Sequence, residues 1–234
     1  MKLQSLIAYL TENIQGGLSE DVLEIANYPE GFNIDQLKDQ PSFAAKVRYL
    51  RSHSLDKLGA GSSRAAFIAD NDTVIKVAKN KKGLAQNRVE AELSANVSND
   101  APIAKVKDSD TDNIWIESER ARKAKPTDFK SLIGYPMDDI MKVVRELVDE
   151  QRGTRVSENQ EEYLYLTDRE LFEEMQWTKA IYNLADIIAD HDLSLGDIRR
   201  ISSWGVVNRN GSQHLVLVDY GLDDQVWQQH YKRR

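Results

Sequence analysis

The most informative segment of this chain is residues 57–77, which read KLGAGSSRAAFIADNDTVIKV. Two apolar runs, 65–69 and 73–77, are separated by a polar turn, and this pattern predicts two strands joined by a short hairpin. Just before them, Gly59 and Gly61 predict a tight turn in which backbone N–H groups can approach a phosphate without obstruction by a Cβ atom. Taken alone, a Gly-x-Gly turn is more often only a hairpin turn.

A lysine interrupts the apolar run that follows the turn. Lys76 lies within 74–78, where a strand lysine either points to solvent or needs an anionic partner. The helix predicted from about residue 84 to residue 97 carries Glu90 and Glu92, and either carboxylate could reach Lys76 when the helix packs on the strand. The segment lacks the Gly-Lys-Ser/Thr of a P-loop, and a strand follows the glycines, which argues against a dinucleotide-binding turn.

The surrounding pattern predicts a small antiparallel unit. Segments 103–106 and 114–116 have the composition of two more strands, and a turn-rich stretch joins them. Residues 57–118 are therefore expected to form five antiparallel strands with one inserted helix.

The rest of the chain is predicted to be mainly helical, which makes the fold class α+β. Residues 1–56 read as a helical extension, with helices over 3–14 and 19–25 and a third capped by Ser42. Residues 119–234 form the third part. Its expected elements are helices over 137–150 and 168–189, a polar loop over 152–162, and a second hairpin over 204–219.

Composition narrows the classes of protein. The 234 residues include 31 Lys+Arg and 38 Asp+Glu, for a net charge of −7, and no Cys. The lack of Cys excludes disulfides, thiolate nucleophiles and zinc knuckles, and a reducing setting such as the cytoplasm is expected. No run approaches the ~20 apolar residues that span a bilayer, so no membrane association is expected. The acidic balance argues against broad nucleic-acid binding.

Two short acidic motifs follow in the C-terminal part. Residues 195–198 read LGDI and residues 218–221 read VDYG, which places Asp197 in a loop and Asp219 directly after a predicted strand. Each aspartate also has an ordinary explanation, as an N-cap or loop residue for Asp197 and as a turn cap for Asp219. Phosphoryl transfer, however, requires fixed carboxylates and cations around the phosphates.

In this order along the chain, the motifs resemble those of the protein-kinase-like fold. The resemblance covers about residues 57–221 and implies two lobes, a small one over 57–118 and a reduced helical one after it. It implies that Lys76 contacts the α- and β-phosphates of ATP and that Glu90 orients the lysine, with Glu92 as the alternative register.

The resemblance also implies the other contacts of nucleotide and metal. The phosphates would be covered by the residues of the turn, which are Gly59, Gly61, Ser62, Ser63 and Arg64. Segment 114–121 is similar to the last strand and hinge of a kinase, so the backbone of Glu119 and Ala121 would hold the adenine edge. Asp219 would bind Mg²⁺, and Asp197 would orient the acceptor hydroxyl and take its proton.

The sequence departs from the kinase pattern at several positions. Arg64 replaces the third glycine of the turn, although a cation there could still contact phosphate. Asp192 is a rival for the role of base. The asparagine that holds a second Mg²⁺ in kinases falls at Ser202 or Ser203, and Ser203 is the candidate we assign as metal ligand. Only 13 residues follow Gly221, so no activation segment for peptide substrates is expected.

Two main functional interpretations follow. The leading one is an ATP·Mg²⁺ phosphotransferase of unknown acceptor; the alternative is a weakly active or inactive pseudokinase-like protein, acting in interactions or in a virion. Transfer of AMP in place of phosphate is a third. A narrower resemblance, to compact kinase-like proteins of some bacteriophages, rests on the Gly-Ser-Ser-Arg turn, Gln86-Asn87, Trp-Gly and Asp-Tyr-Gly. It implies host-cell cytoplasm or a virion as the location, and a protein partner or substrate besides the nucleotide.

Overall fold

The computed structural model describes residues 28–153 and 169–232. The helices predicted over 3–14 and 19–25 lie outside these ranges, and the loop predicted over 152–162 lies almost wholly outside them. Within the described residues, no helix is both long enough and apolar enough to cross a membrane.

Between residue 28 and the first strand the structure has two helices, α1 (Ile34–Lys38) and α2 (Phe43–Ser52). The side chain of Ser42 accepts a hydrogen bond from a backbone N–H in the first turn of α2, as the sequence predicts for a helix cap. Lys46 joins the two helices, because its buried Nζ donates to three backbone carbonyls at the end of α1, at 2.6–3.0 Å.

Five antiparallel strands form the larger sheet, in the order β1-β2-β3-β5-β4. Their bounds are Asp56–Ala60 for β1, Arg64–Ile68 for β2, Thr73–Ala78 for β3, Val106–Ser109 for β4 and Trp115–Glu119 for β5. Helix α3 (Lys81–Asn96) lies in the connection between β3 and β4. Because β3 is the middle strand, Lys76 is flanked on both sides, by Ala66 of β2 and Ile116 of β5.

The two faces of this sheet have different neighbours. One face packs against α1 and α2 in a hydrophobic cluster that includes Leu37, Leu50, Phe67, Ile75, Val77 and Trp115. Side chains alternate along a strand, so Val74 and Lys76 are on the opposite face. That face meets α3 and the cleft described below.

The second half of the chain builds the larger hydrophobic core. Outside residues 154–168, its helices and strands are β6 (Arg122–Lys123), α4 (Pro126–Leu132), α5 (Met137–Gln151), α6 (Arg169–Met175), α7 (Lys179–Asp190), α8 (Leu195–Ile198), β7 (Trp204–Arg209), β8 (Ser212–Leu217) and α9 (Asp224–His230). Strands β6, β7 and β8 form a separate small sheet. This sheet places the residues that follow β8 next to α3.

Two predicted elements are wrong in detail. In place of the single helix predicted over 168–189, the structure has two helices, and residues 176–178 between them are not helical. Met175 and Ile181 are both buried in the core, yet on one straight helix residues six positions apart would point in directions about 120° apart. The strand predicted over 103–106 begins only at Val106, and Ile103 instead makes an isolated bridge in the second half of the chain.

The α+β class and the five-stranded antiparallel sheet with one inserted helix are confirmed. The boundaries that divide the chain into parts at residues 56 and 118 stay a prediction.

Candidate functional site

The glycine hairpin, defined here as β1, β2 and the turn at 61–63, forms one wall of a cleft. The backbone N–H of Gly61 donates to the carbonyl of Arg64 at 3.0 Å and closes the turn. A Cβ atom added to Gly59 or Gly61 would meet nothing within 4 Å, and neither has a positive φ. Packing inside the protein therefore does not require glycine at positions 59 and 61. Close approach of a ligand to this backbone would require it.

The two serines of the hairpin face different ways. Ser62 is exposed, and its carbonyl accepts a hydrogen bond from Asn80 at 3.1 Å. Ser63 is buried, and its hydroxyl donates to Gln86 of α3 at 2.5 Å. Of the two hydroxyls, that of Ser62 is thus the one available to a ligand.

Lys76 and Glu90 form a buried ion pair. Lys76 Nζ lies 2.5 Å from Glu90 Oε2, and it also donates to the carbonyl of Val218 at 2.8 Å. Glu90 is fully buried, whereas the side chain of Glu92 is 61% exposed and lies 3.8 Å from Arg88. The structure therefore brings Glu90 to the lysine and leaves Glu92 on the surface.

Arg64 adds a second cation to the same carboxylate. Its Nη2 lies 2.8 Å from Glu90 Oε1 and 2.5 Å from Asp219 Oδ1, and its Nη1 donates to Asn87 at 3.4 Å. Burial by itself would raise the pKa of Glu90, but the charges and hydrogen bonds of Arg64 and Lys76 hold it below its ordinary value. The carboxylates of Glu90 and Asp219 raise the pKa of Arg64 despite its burial, so Arg64 and Glu90 face each other as charged groups.

Asp219 lies two residues beyond the end of β8 and borders the cleft. Its side chain is 61% exposed, although one oxygen is held by Arg64. Two residues further on, Gly221 lies so close to α3 that an added Cβ would come within 2.6 Å of the carbonyl of Gln86. This tight contact fixes the position of the Asp-Tyr-Gly turn against the helix that carries Glu90.

Asp197 lies on α8, a single helical turn within the loop between α7 and β7, and its charge interacts with that of Asp219. Burial raises the pKa of Asp197, the charge of Asp219 raises it further, and Arg200, 3.3 Å away, lowers it. Its rival Asp192 has a positive φ of 50° and pairs with Arg152 at 3.3 Å. Each aspartate thus has an arginine partner, and Asp197 is the one whose charge interacts with that of Asp219.

The serines at the asparagine position are also distinguished by the structure. Ser203 is 4% exposed, and its hydroxyl donates to the backbone carbonyl of Asp197 at 2.8 Å. Ser202 is exposed and lines the cleft. Ser203 thus fixes the loop that carries Asp197, and its oxygen is not on the cleft surface.

The cleft between the glycine hairpin and the second half of the chain has a volume of about 1210 Å³. Apolar side chains line part of it, among them those of Leu58, Ala66, Val74, Val206 and Val218. Glu119 and Ala121 lie on its wall. The carboxylate of Glu119 is occupied by Arg209, at 2.5 and 2.9 Å, and its backbone N–H donates to the carbonyl of Lys105 at 2.8 Å. The backbone carbonyl of Glu119 is therefore its candidate contact with a ligand.

Sequence reasoning missed two features of this cleft. It did not foresee that Arg64 joins Glu90 to Asp219, because the residues of the second contact are 155 positions apart. It also missed Ser118, which is fully buried and lines the cleft, and whose hydroxyl has no hydrogen-bond partner within the described residues. The Gln86-Asn87 pair, noted only as a resemblance, holds the hairpin through Ser63 and Arg64.

Comparison with known proteins gives only a slight likeness. No protein-family model and no curated protein matches the chain. Among solved structures, the GDP and kanamycin complex of an APH(2″) enzyme is 13% identical, with 71% of this chain and 66% of that chain covered and a TM-score of 0.36. The GDP complex of wild-type aminoglycoside 2′-phosphotransferase-IIIa is also 13% identical, with 78% and 73% covered and a TM-score of 0.36.

A third similar structure is the streptomycin–ATP–APH(2″)-IIa ternary complex, 14% identical, with 71% of this chain and 65% of that chain covered and a TM-score of 0.32. The chain thus spans just under two thirds of the first and third of these proteins. With TM-scores this low, the function of the chain has to be inferred from its own side chains.

Proposed function

We propose that the protein is a kinase-like phosphotransferase that binds ATP with Mg²⁺ in the cleft and transfers a phosphoryl group to an acceptor. The observation that carries this proposal is one connected set of contacts beneath the glycine hairpin, in which Lys76, Arg64, Glu90 and Asp219 are joined at 2.5–2.8 Å. Phosphoryl transfer depends on cations and fixed carboxylates placed around the phosphates.

The phosphates would lie between the hairpin and Lys76. The open space beside Gly59 and Gly61 allows backbone N–H groups to approach them, and the hydroxyl of Ser62 adds a donor. Lys76 would donate to the phosphates while Glu90 and the carbonyl of Val218 fix its Nζ. Because the pKa of Glu90 is held below its ordinary value, its carboxylate keeps the charge that orients the lysine.

Asp219 is the residue that would hold Mg²⁺. Within residues 28–153 and 169–232 no group of three or more His, Asp or Glu side chains could hold a metal alone, but Mg²⁺ commonly uses one or two carboxylates together with phosphate oxygens and water. The exposed carboxylate of Asp219 at the cleft fits this requirement. The ion would neutralise charge on the phosphates. Ser203 stays a weaker candidate, since its hydroxyl is directed to the loop of Asp197.

Asp197 is the proposed base. Its raised pKa makes it a better proton acceptor than an ordinary aspartate, and it would accept the proton of the attacking hydroxyl. The bond from Ser203 to its backbone fixes the loop in place.

The base of the nucleotide would occupy the apolar part of the cleft. Ala66, Val74 and Val206 offer the flat apolar walls that an aromatic ring needs. The backbone of Glu119 and Ala121 would bind its polar edge, and the unpartnered hydroxyl of Ser118 supports a polar ligand at this end.

A second candidate function is a kinase-like module that binds nucleotide without transferring phosphate. The ion pair between Arg64 and Asp219 favours it, because the proposed metal ligand already has a cationic partner. Such a module would act through a protein partner, and the resemblance to phage proteins would place it in the host cytoplasm or a virion.

Labelled nucleotide separates these functions. We would incubate the purified protein with γ-labelled or α-labelled ATP and Mg²⁺, and follow phosphate released to water, label on protein and nucleotide affinity. The test variants are Lys76→Met and Asp219→Asn. Their matched controls are Lys130→Met and Asp190→Asn, at exposed positions away from the cleft.

Transfer of γ-label that falls at least about a hundredfold in both test variants, and not in the controls, supports the phosphotransferase. Transfer of α-label indicates AMP transfer, and nucleotide binding without transfer indicates the binding module. Absence of nucleotide binding by the wild-type protein would overturn the site itself.

A further inference from the structure

The guanidinium of Arg64 joins the two sides of the cleft. Its Nη2 is shared by Glu90 of α3, at 2.8 Å, and by Asp219 beyond β8, at 2.5 Å. The Arg64 side chain is only 10% exposed and that of Glu90 is fully buried, whereas that of Asp219 is 61% exposed, so the arginine runs from the interior to the cleft. One nitrogen thus connects the carboxylate that orients Lys76 with the carboxylate that would hold a metal.

The charges around this nitrogen are balanced as they stand. Two cations, Lys76 and Arg64, face two carboxylates, Glu90 and Asp219, within 2.5–2.8 Å. Arginine keeps its charge at any ordinary pH. A divalent cation on Asp219 would therefore lie next to a fixed positive charge in a partly buried setting, where repulsion is screened less than in water.

We infer that Arg64 competes with the divalent metal for Asp219, an inference that rests on the metal site of the proposed function. Without nucleotide, the guanidinium holds Asp219 and opposes metal binding. When nucleotide enters, its phosphates offer Arg64 a new anionic partner, and Asp219 is released to the metal. Metal and nucleotide therefore bind cooperatively, and each raises the affinity of the other by the same factor.

This arrangement distinguishes Arg64 from Lys76. Lys76 is held by Glu90 and by the carbonyl of Val218, neither of which has to change partner when ligands bind. Arg64 lines the cleft and begins β2 beside the open turn, so its long side chain can turn to phosphate without movement of the strand.

Titration with Mn²⁺ in the absence of nucleotide, followed by electron paramagnetic resonance, tests the competition without any need for activity. We expect Arg64→Gln to bind Mn²⁺ about tenfold more tightly than the wild type. The ion then no longer has to break the charged hydrogen bond between Arg64 and Asp219. The control Arg88→Gln makes the same change of net charge at the surface, where Arg88 lies 3.8 Å from Glu92. It should bind Mn²⁺ as the wild type does.

Two further measurements locate the effect. In an Asp219→Asn background the gain from Arg64→Gln should disappear, because the ligand that Arg64 withholds is gone. With ADP present, the increase in Mn²⁺ affinity caused by nucleotide should be smaller in Arg64→Gln than in the wild type. Arg64→Lys keeps a cation too short to hold both carboxylates and should give a gain of at least about threefold, which provides a second test if the glutamine variant does not fold.

Unchanged Mn²⁺ affinity in both Arg64 variants would overturn the inference, and so would a gain that survives Asp219→Asn. A different outcome would count against the proposed function itself: a wild-type protein that binds no Mn²⁺ even when ADP is present.

Discussion

Glu90 shows how much a single buried carboxylate decides. It faces Lys76 on one oxygen and Arg64 on the other, at 2.5 and 2.8 Å, and it is fully buried. Sequence spacing alone predicts a helix glutamate near Lys76 but does not choose between Glu90 and Glu92. Residues two positions apart are rotated by about 200° around the helix, so these two side chains point to nearly opposite faces and only one can reach the lysine. Only the packing of α3 on the sheet selects between them.

Replacement of Glu90 by Gln should destabilise the protein by about 2–4 kcal/mol, because two poorly solvated cations would lose their shared partner. Glu92→Gln removes the same charge from an exposed position and should change stability by less than about 0.5 kcal/mol. The free energy of unfolding in urea measures both. Equal effects of the two substitutions would mean that the ion pairs of Glu90 contribute no more than a surface contact.

At the residue level, the sequence predicts the short-range partner of Lys76 only as one of two glutamates, and it does not predict the long-range contact of Arg64. Lys76 and Glu90 are 14 positions apart, and strand followed by helix brings them together. Arg64 and Asp219 are 155 positions apart, and nothing local in the sequence requires them to meet. Their contact depends on how β7 and β8 place Asp219 against α3, which is a property of tertiary packing.

At the level of elements, α3 is held to the glycine hairpin by a close backbone contact. Gly83 lies in the first turn of α3, and a Cβ atom there would come within 2.3 Å of the carbonyl oxygen of Ser63. That carbonyl accepts a hydrogen bond from Lys79 at 2.8 Å, which limits its freedom to move. A side chain at position 83 would therefore push the helix that carries Glu90 away from the hairpin.

Gly83→Ala should consequently lower stability by about 1–3 kcal/mol, as overpacked sites do. The sign is informative, because Ala in an open helical position is favoured over Gly by about 1 kcal/mol. Gly196→Ala is the matched control, since an added Cβ in α8 meets nothing closer than 3.7 Å. Thermal unfolding of both variants measures their stabilities. A Gly83→Ala protein as stable as the control would show that the backbone near Ser63 moves away from the added Cβ without loss of stability.

Element types were predictable where the apolar pattern was strong. The runs around Phe67 and Ile75 became β2 and β3 within a residue of their predicted bounds. The helix break before α7 was not predictable, because Leu171, Met175, Thr178 and Ile181 follow one another at helical spacing and read as one continuous stripe. In the structure Trp177 at the break is 79% exposed, and that exposure depends on how the two helices pack.

For the molecule as a whole, the sheet separates the cleft from a layer formed by α1 and α2. Phe67, Ile75 and Trp115 pack in that layer. Glu117 is the partner of Ile75 in the sheet, and it lies two residues after Trp115 in the same strand. All three side chains are therefore on the face that packs against the helices. It is 4% exposed, and no cation pairs with it in the described part of the chain. Burial of this acid therefore affects the free energy of unfolding of the whole protein.

Burial raises the pKa of Glu117 from about 4.5 to about 7. The unfolded chain releases this proton near pH 4.5, whereas the folded protein keeps it until about pH 7. Between these values the native state binds more protons, so stability falls as pH rises, by up to about 3 kcal/mol, and then levels off. Urea unfolding at pH 5 and pH 8 should show this loss in the wild type and in Glu92→Gln, and a much smaller loss in Glu117→Gln, which should be the more stable protein at pH 8. If Glu117→Gln loses as much stability as the wild type over this range, another group binds the proton, and the carboxyl of Glu117 is solvated or paired in solution.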